Sequence, residues 1–195
     1  MRFKNLIVGF LLFSALGCTP RAADKDPVLD SSTPDNLTIT WSECGGDIGD
    51  HACDFTFKDQ DGNNWTLYDH HGTVMVLDFS TMWCSYCRVA ASEIQAVQDL
   101  YGSQDFLWVS IMIDDYSGDT VSVDEAKDWA DTYGITSAPV LAGDRSIIDT
   151  TAENGYPVTS WPTFVILDRD LVIKYGLNGW SKEIITSWLL DALEE

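Results

Sequence analysis

The chain has 195 residues, 45% of them hydrophobic, and a formal net charge of −20 at neutral pH. That length and composition suit one domain with small extras and exclude global disorder. The charge excludes a nucleic-acid binder that works through phosphates and fits a solvated acidic surface able to steer basic partners.

The first residues form a separate unit. Arg2 and Lys4 precede an apolar run over residues 6–16, followed by Gly17-Cys18. A basic start, a short apolar stretch and small residues describe a secretory signal over 1–17, and the run is too short to span a bilayer as a mature helix. The Ala15-Leu16-Gly17-Cys18 ending resembles a bacterial lipobox, with Ala15 where Leu is commonest. That resemblance implies cleavage before Cys18 and lipidation of its thiol. Thr19 stands where Asp would signal retention in the inner membrane, which favours the outer membrane. The expected location is therefore the bacterial cell envelope, lipid-anchored and facing the periplasm. Removing 1–17 takes away two cations and no acid, so the remainder is more acidic still. Residues 18–36 are rich in Asp, Pro, Ser and Thr and read as a flexible tether; the folded domain is expected over 37–195.

Residues 36–41 alternate and read as a short strand. A hairpin follows, with Phe55 and Phe57, a turn at Asp61-Gly62, then Trp65 and Leu67. Residues 73–79 are β-branched and apolar apart from Asp78, the pattern of a buried central strand. From Cys84 to Tyr101 the apolar positions Val89, Ile94, Val97 and Leu100 suggest a helix, which Gly102 is expected to end in a left-handed conformation. A second buried strand covers 106–113. Ser122-Val123-Asp124-Glu125 is a capping box opening a helix to Tyr133, with Gly134 after it. Residues 139–141 form a short strand, and 163–167 with 171–175 a hairpin around Asp168-Arg169-Asp170. Ser181 caps a last helix with Ile184, Ile185, Trp188, Leu189 and Leu193 on one face.

Chemistry concentrates where the strand over 73–79 meets the helix from Cys84. The edge carrying strand ends is the usual place for a site in an open α/β sheet. Cys84 and Cys87 sit one turn apart on one face. A cysteine at a helix N-terminus is favoured as the reactive thiolate. The first sulfur can then be nucleophilic while the second, shielded, attacks a mixed disulfide. Three other uses compete. Zinc needs four ligands as a rule, and Cys44, Cys53, His51, His70 and His71 are the remaining candidates, all upstream. A disulfide across one helical turn would stabilise little. Thr81-Met82-Trp83-Cys84 matches the T-x-x-C of peroxidases, although Leu77 stands where those proteins carry Pro. Of five cysteines, lipidation of Cys18 leaves four, an even number that fits two pairs in an oxidising compartment.

Trp83-Cys84-Ser85-Tyr86-Cys87-Arg88 behind Val76-Leu77-Asp78-Phe79, with Ser160-Trp161-Pro162-Thr163-Phe164 downstream, resembles the thioredoxin superfamily. Asp54-Phe55-Thr56-Phe57, Asp61-Gly62 and Leu67 resemble the N-terminal hairpin of its TlpA/ResA-like branch, the membrane-tethered thiol-disulfide oxidoreductases of bacterial envelopes. The resemblance implies an α/β thioredoxin-like fold: a three-layer α/β/α arrangement with a central mixed sheet, an N-terminal hairpin extension and an inserted helix-strand segment between Asp114 and Tyr156. It implies Cys84 as nucleophile, Cys87 as resolving thiol, Asp78 as the buried acid that relays a proton, and Pro162 as a cis proline against the sulfurs. Trp161, Trp83, Ser85 and Tyr86 would meet substrate, with Trp161 as a gate. No cofactor or metal is implied beyond the Cys84–Cys87 pair itself. The partners implied are protein thiols or disulfides and a membrane electron donor, acting on a monomer.

Departures from the family pattern are local. Ala90 stands where many reductases of the branch carry Glu, with Glu93 one turn on. Ser85-Tyr86 is neither Gly-Pro nor Pro-His, so the direction of electron flow is not readable from it. Cys53 replaces a proline and reads with Cys44 as a local structural disulfide; a second redox pair is the sharper alternative. The expected function is a reductant of protein disulfides. A peroxiredoxin-like peroxidase, and a non-enzymatic copper-binding protein or adaptor on the same fold, are the alternatives; the copper-binding branch needs a distal His, and no His follows His71.

Overall fold

The structure, a computed structural model, describes residues 39–195. The signal segment, Cys18 and the tether lie outside the described residues. The elements in chain order are β1 (Thr56–Asp59), β2 (Asn64–Thr66), β3 (Val74–Thr81), α1 (Ser85–Tyr101), β4 (Phe106–Asp114), α2 (Val123–Tyr133), β5 (Val140–Ala142), β6 (Thr163–Leu167), β7 (Ile173–Asn178) and α3 (Lys182–Leu193). The strands make one seven-stranded sheet in the order β2-β1-β5-β4-β3-β6-β7. β3, β4 and β5 run parallel, and β1, β6 and β7 join antiparallel. Every residue of β3 is buried, the polar Asp78, Ser80 and Thr81 included, as a central strand covered on both faces requires.

Two apolar clusters flank the sheet. One joins Val76, Trp108 and Phe164 to residues of all three helices, including Ile94, Trp129 and Leu189. The other contains Met75, Leu77, Val109, Ile111 and Val165 under Phe55, Leu67 and Tyr156. Among the described residues that second face is covered by the hairpin, a 3-10 turn at Leu67–His70 and the 147–158 stretch, with no α-helix in its cluster. Trp108 and Phe164 are fully buried and pack edge to face; burying a side chain of that size stabilises by roughly 1.5–3 kcal/mol.

The helix boundaries follow from local chemistry. In α2, Ser122 accepts the Glu125 N–H while the Glu125 carboxylate accepts the Ser122 N–H, a complete capping box. Gly134 closes α2 at φ 66°. Ser181 caps α3. At the end of α1 the expectation fails: Gly102 is right-handed at φ −58° and opens a 3-10 turn, and Asp105 takes the left-handed position at φ 55°. Gly102 is required for another reason, because a Cβ there would lie 2.7 Å from the Gln98 side-chain nitrogen. Gln98 is buried, donates to the Phe106 carbonyl and accepts from the Trp108 N–H.

The burying face of α1 also differs from the apolar reading. It consists of Cys87, Ala90, Ala91, Ile94, Val97 and Gln98, which follows the i, i+3, i+4, i+7 rule. Val89 and Leu100 fall off that face and are exposed. In α3, Ile184 is likewise exposed, while Ile185 and Leu189 are buried. Residues 39–41 form no strand; Trp41 instead stacks on His51 at 3.9 Å and donates to the Tyr68 hydroxyl.

Candidate active site

β3 and β4 run parallel and β6 runs against β3, so the ends of β3 and β4 and the start of β6 share one sheet edge. Phe79 pairs with Thr163, which places Trp161-Pro162 just beyond the pairing at the edge where β3 turns into α1. The Trp161–Pro162 bond is cis.

Cys84 is the N-cap of α1. Its backbone is extended, and its sulfur accepts the Cys87 N–H at 3.2 Å. Both thiols are free; Cys84 is 7% exposed and Cys87 is fully buried beneath it. Burial pushes the Cys87 thiol well above the ordinary range, and the contact with Cys84 and the nearby Asp78 carboxylate push the same way, against the Thr81 backbone and Ser80. So Cys87 keeps its proton until something removes it.

Asp78 is a buried carboxyl close enough to Cys87 to raise its pKa by charge repulsion. It sits on β3 between Ser110 of β4 and Phe164 of β6 and is 1% exposed. Burial raises its pKa to about 7, partly offset by Ser80, Trp108 and Ser110. Ser80 Oγ donates to Asp78 Oδ1 at 2.5 Å, and Ser110 Oγ reaches Oδ2 at 3.5 Å. Among the described residues the Trp108 indole N–H has no hydrogen-bond partner; its favourable effect on the carboxylate is one of proximity. Ser80, Ser110 and Trp108 were not singled out from the sequence. The strand period does place Ser80 on the Asp78 face, and the parallel register supplies Ser110.

Ser85 and Tyr86 are exposed, and Trp83 is 45% exposed beside Cys84. The Trp83 indole Nε1 donates to Asp114 Oδ2 at 3.3 Å. Asp114 also receives Arg145, through Nε at 2.9 Å and Nη2 at 2.5 Å, and the Arg145 guanidinium lies 5.9 Å from the centre of the Trp161 ring. Glu93 is bound to Lys182 at 2.5 Å on the surface, and the Ala90 position is buried, so neither supplies a carboxylate to the cysteines.

Cys44 and Cys53 are joined by a disulfide. His51 and His70 stack on Trp41 and Trp65, and among the described residues no group of three metal-ligating side chains is placed to hold a metal. The Cys53 carbonyl accepts the buried Tyr156 hydroxyl at 2.8 Å, tying the disulfide to the 152–158 stretch that leads into Trp161-Pro162. Closing a loop of this length is worth about 2–3 kcal/mol. A Cys44→Ser/Cys53→Ser chain is expected to lose that much in a urea titration while keeping disulfide exchange; loss of exchange with unchanged stability would make the pair a redox partner instead.

This sheet, with a dithiol at a helix start and a cis proline facing the same edge, defines a thioredoxin-like thiol-disulfide oxidoreductase. The chain belongs to the AhpC/TSA family, whose model matches residues 48–176. It is 30% identical over 141 residues to the thioredoxin-like protein YneN of Bacillus subtilis, covering 71% of this chain and 77% of that one. It is 26% identical over 143 residues to the thiol-disulfide oxidoreductase ResA of Bacillus thuringiensis, covering 73% and 76%. Among solved structures it is similar to the pneumococcal exposed lipoprotein thioredoxin Etrx1 of Streptococcus pneumoniae, with a TM-score of 0.58, 24% identity, and 71% and 99% coverage. Among the described residues no helix is long and apolar enough to cross a membrane.

Proposed function

We propose that the chain is an envelope reductant of protein disulfides, held at the membrane through lipidated Cys18. The observation that carries this reading is the pairing of a slightly exposed Cys84 with a buried, protonated Cys87 beside a carboxyl that titrates near neutrality. Cys84 thiolate attacks a substrate disulfide, and one substrate sulfur leaves as thiolate. Asp78 takes the Cys87 proton, Cys87 attacks the Cys84 sulfur, and the substrate leaves with two electrons as a dithiol. The Cys84–Cys87 disulfide is then reduced by a membrane electron donor, and no other cofactor takes part. Pro162 and Trp161 hold the substrate segment against the sulfurs, and Trp83, Ser85 and Tyr86 border it. The similarity to the thiol-disulfide oxidoreductase ResA supports the activity, and the Ala15-Leu16-Gly17-Cys18 ending supports the tether.

Cys87→Ala tests this directly. With resolution blocked, mixed disulfides through Cys84 are expected to accumulate with envelope proteins and to run as adducts that collapse on reduction. If no Cys84-dependent adducts form, the exchange reading is wrong.

A further inference from the structure

Four side chains from four separate stretches are linked in a row: Trp83, the residue before Cys84, to Asp114 at the end of β4, Asp114 to Arg145 after β5, and Arg145 to Trp161, the residue before the cis proline. We propose that Asp114 and Arg145 are positioning residues that fix Trp83 and Trp161 as one wall of the approach to Cys84. That wall selects protein disulfides by the segments flanking them. The inference rests on the exchange reading above and adds the means of substrate choice.

Asp114 is 2% exposed, and a buried carboxylate persists only when its oxygens are occupied. Here both oxygens are. The guanidinium fork fills Oδ1 and Oδ2, and the Trp83 indole shares Oδ2. Planar two-point pairing fixes direction as well as distance. The Arg145 side chain is 62% exposed, so Asp114 is what sets its orientation. In that orientation it reaches the Trp161 ring at a distance suited to cation–π attraction. The carboxylate thus aligns two indoles, one adjoining the nucleophile and one adjoining the cis proline. An indole that is 45% exposed yet pinned at its nitrogen is a contact surface already ordered before substrate arrives, which lowers the cost of binding. The class selected is an extended protein segment with an apolar side chain for the indoles.

The test uses the full chain and its Arg145→Ala, Arg145→Lys and Asp114→Asn variants. Arg145 is largely exposed, so its loss should leave the fold intact, and Asn keeps the shape of Asp. With insulin as protein disulfide, Arg145→Ala is expected to raise KM at least fivefold with kcat within twofold. With bis(2-hydroxyethyl) disulfide, a small uncharged disulfide with no flanking peptide or carboxylate, both constants should stay within twofold. Lysine should restore insulin binding only in part, because it has no fork and no flat face for Trp161. Alkylation of Cys84, located by mass spectrometry, is the independent readout. The rate ratio of a bulky maleimide to iodoacetamide should rise at least threefold in Arg145→Ala and in Asp114→Asn as the wall loosens. If the insulin KM and the alkylation ratio both stay within twofold of wild type, the proposal is overturned. If the wild-type chain exchanges with no disulfide, the functional reading fails, and the alkylation ratio alone decides whether the wall exists.

Discussion

Asp78→Asn is expected to slow turnover on the order of 100-fold, the usual share of a positioned acid or base, and at the same time to make the protein more stable at pH 8. The two effects share one cause. The carboxyl titrates near 7 in the fold, against 3.8 for a free aspartate. Between those values the native chain holds a proton that the unfolded chain has released, so stability falls as pH rises from about 4 to 7 and is flat above. The difference corresponds to roughly 4 kcal/mol. Asn does not ionise and escapes that loss. From pH 4 to pH 8 the variant should therefore gain on wild type in denaturant titrations by most of that amount, starting from a deficit near pH 4 set by the weakened Ser80 and Ser110 bonds. In parallel, wild-type turnover should rise through pH 7, and the variant should lack that step. A variant no more stable than wild type at pH 8 would show that the carboxyl is not the buried, nearly neutral group described above.

Cys84→Ser should abolish exchange below detection, because a hydroxyl at neutral pH has no population comparable to a thiolate. Cys87→Ser should differ in kind: one equivalent of mixed disulfide forms and turnover then stops. A peroxidase would behave otherwise. The Thr81-Met82-Trp83-Cys84 pattern and the family name keep that activity testable. It predicts rapid peroxide consumption by Cys84 in the Cys87→Ser chain. We expect consumption no faster than that of an ordinary exposed thiol, measured by peroxide loss under single turnover.

Much of this was legible from the residues. The buried run of β3, the capping box of α2 and the distance between the cysteine motif and Trp161-Pro162 each have one dominant local or family cause, and those elements stand where the reading put them. The missed features depend on partners distant in sequence. Val89 and Leu100 fit an apolar count, but the face of α1 is set by what lies under it, and Cys87 and Gln98 occupy that face instead. Gln98 is polar and so was not a core candidate; it is buried because its amide serves the Phe106 and Trp108 backbone groups. Residues 36–41 alternate as a strand would, yet the described part, 39–41, pairs with no strand, and Trp41 docks by stacking. Asp114 and Arg145 lie 31 residues apart, and nothing local marks either one. An acid ending a buried strand at the edge that carries a reactive cysteine was the available signal.

The short stretch between Cys44 and Cys53 has a consequence for self-association. Gly49 donates to the Ile173 carbonyl, Ile173 donates to the Asp50 carbonyl, and Ala52 donates to the Leu171 carbonyl, so the start of the terminal strand β7 is already hydrogen-bonded along its outer side. The opposite end of the sheet is β2, only three residues long. Open strand margins recruit other chains and seed aggregates. On the proposed function, extended segments of foreign proteins are met at the cis-proline loop, and a second open strand margin would compete with it. The stapled stretch thus covers the margin at which β7 begins, and a chain with the Cys44–Cys53 bond removed is the one expected to self-associate through that margin.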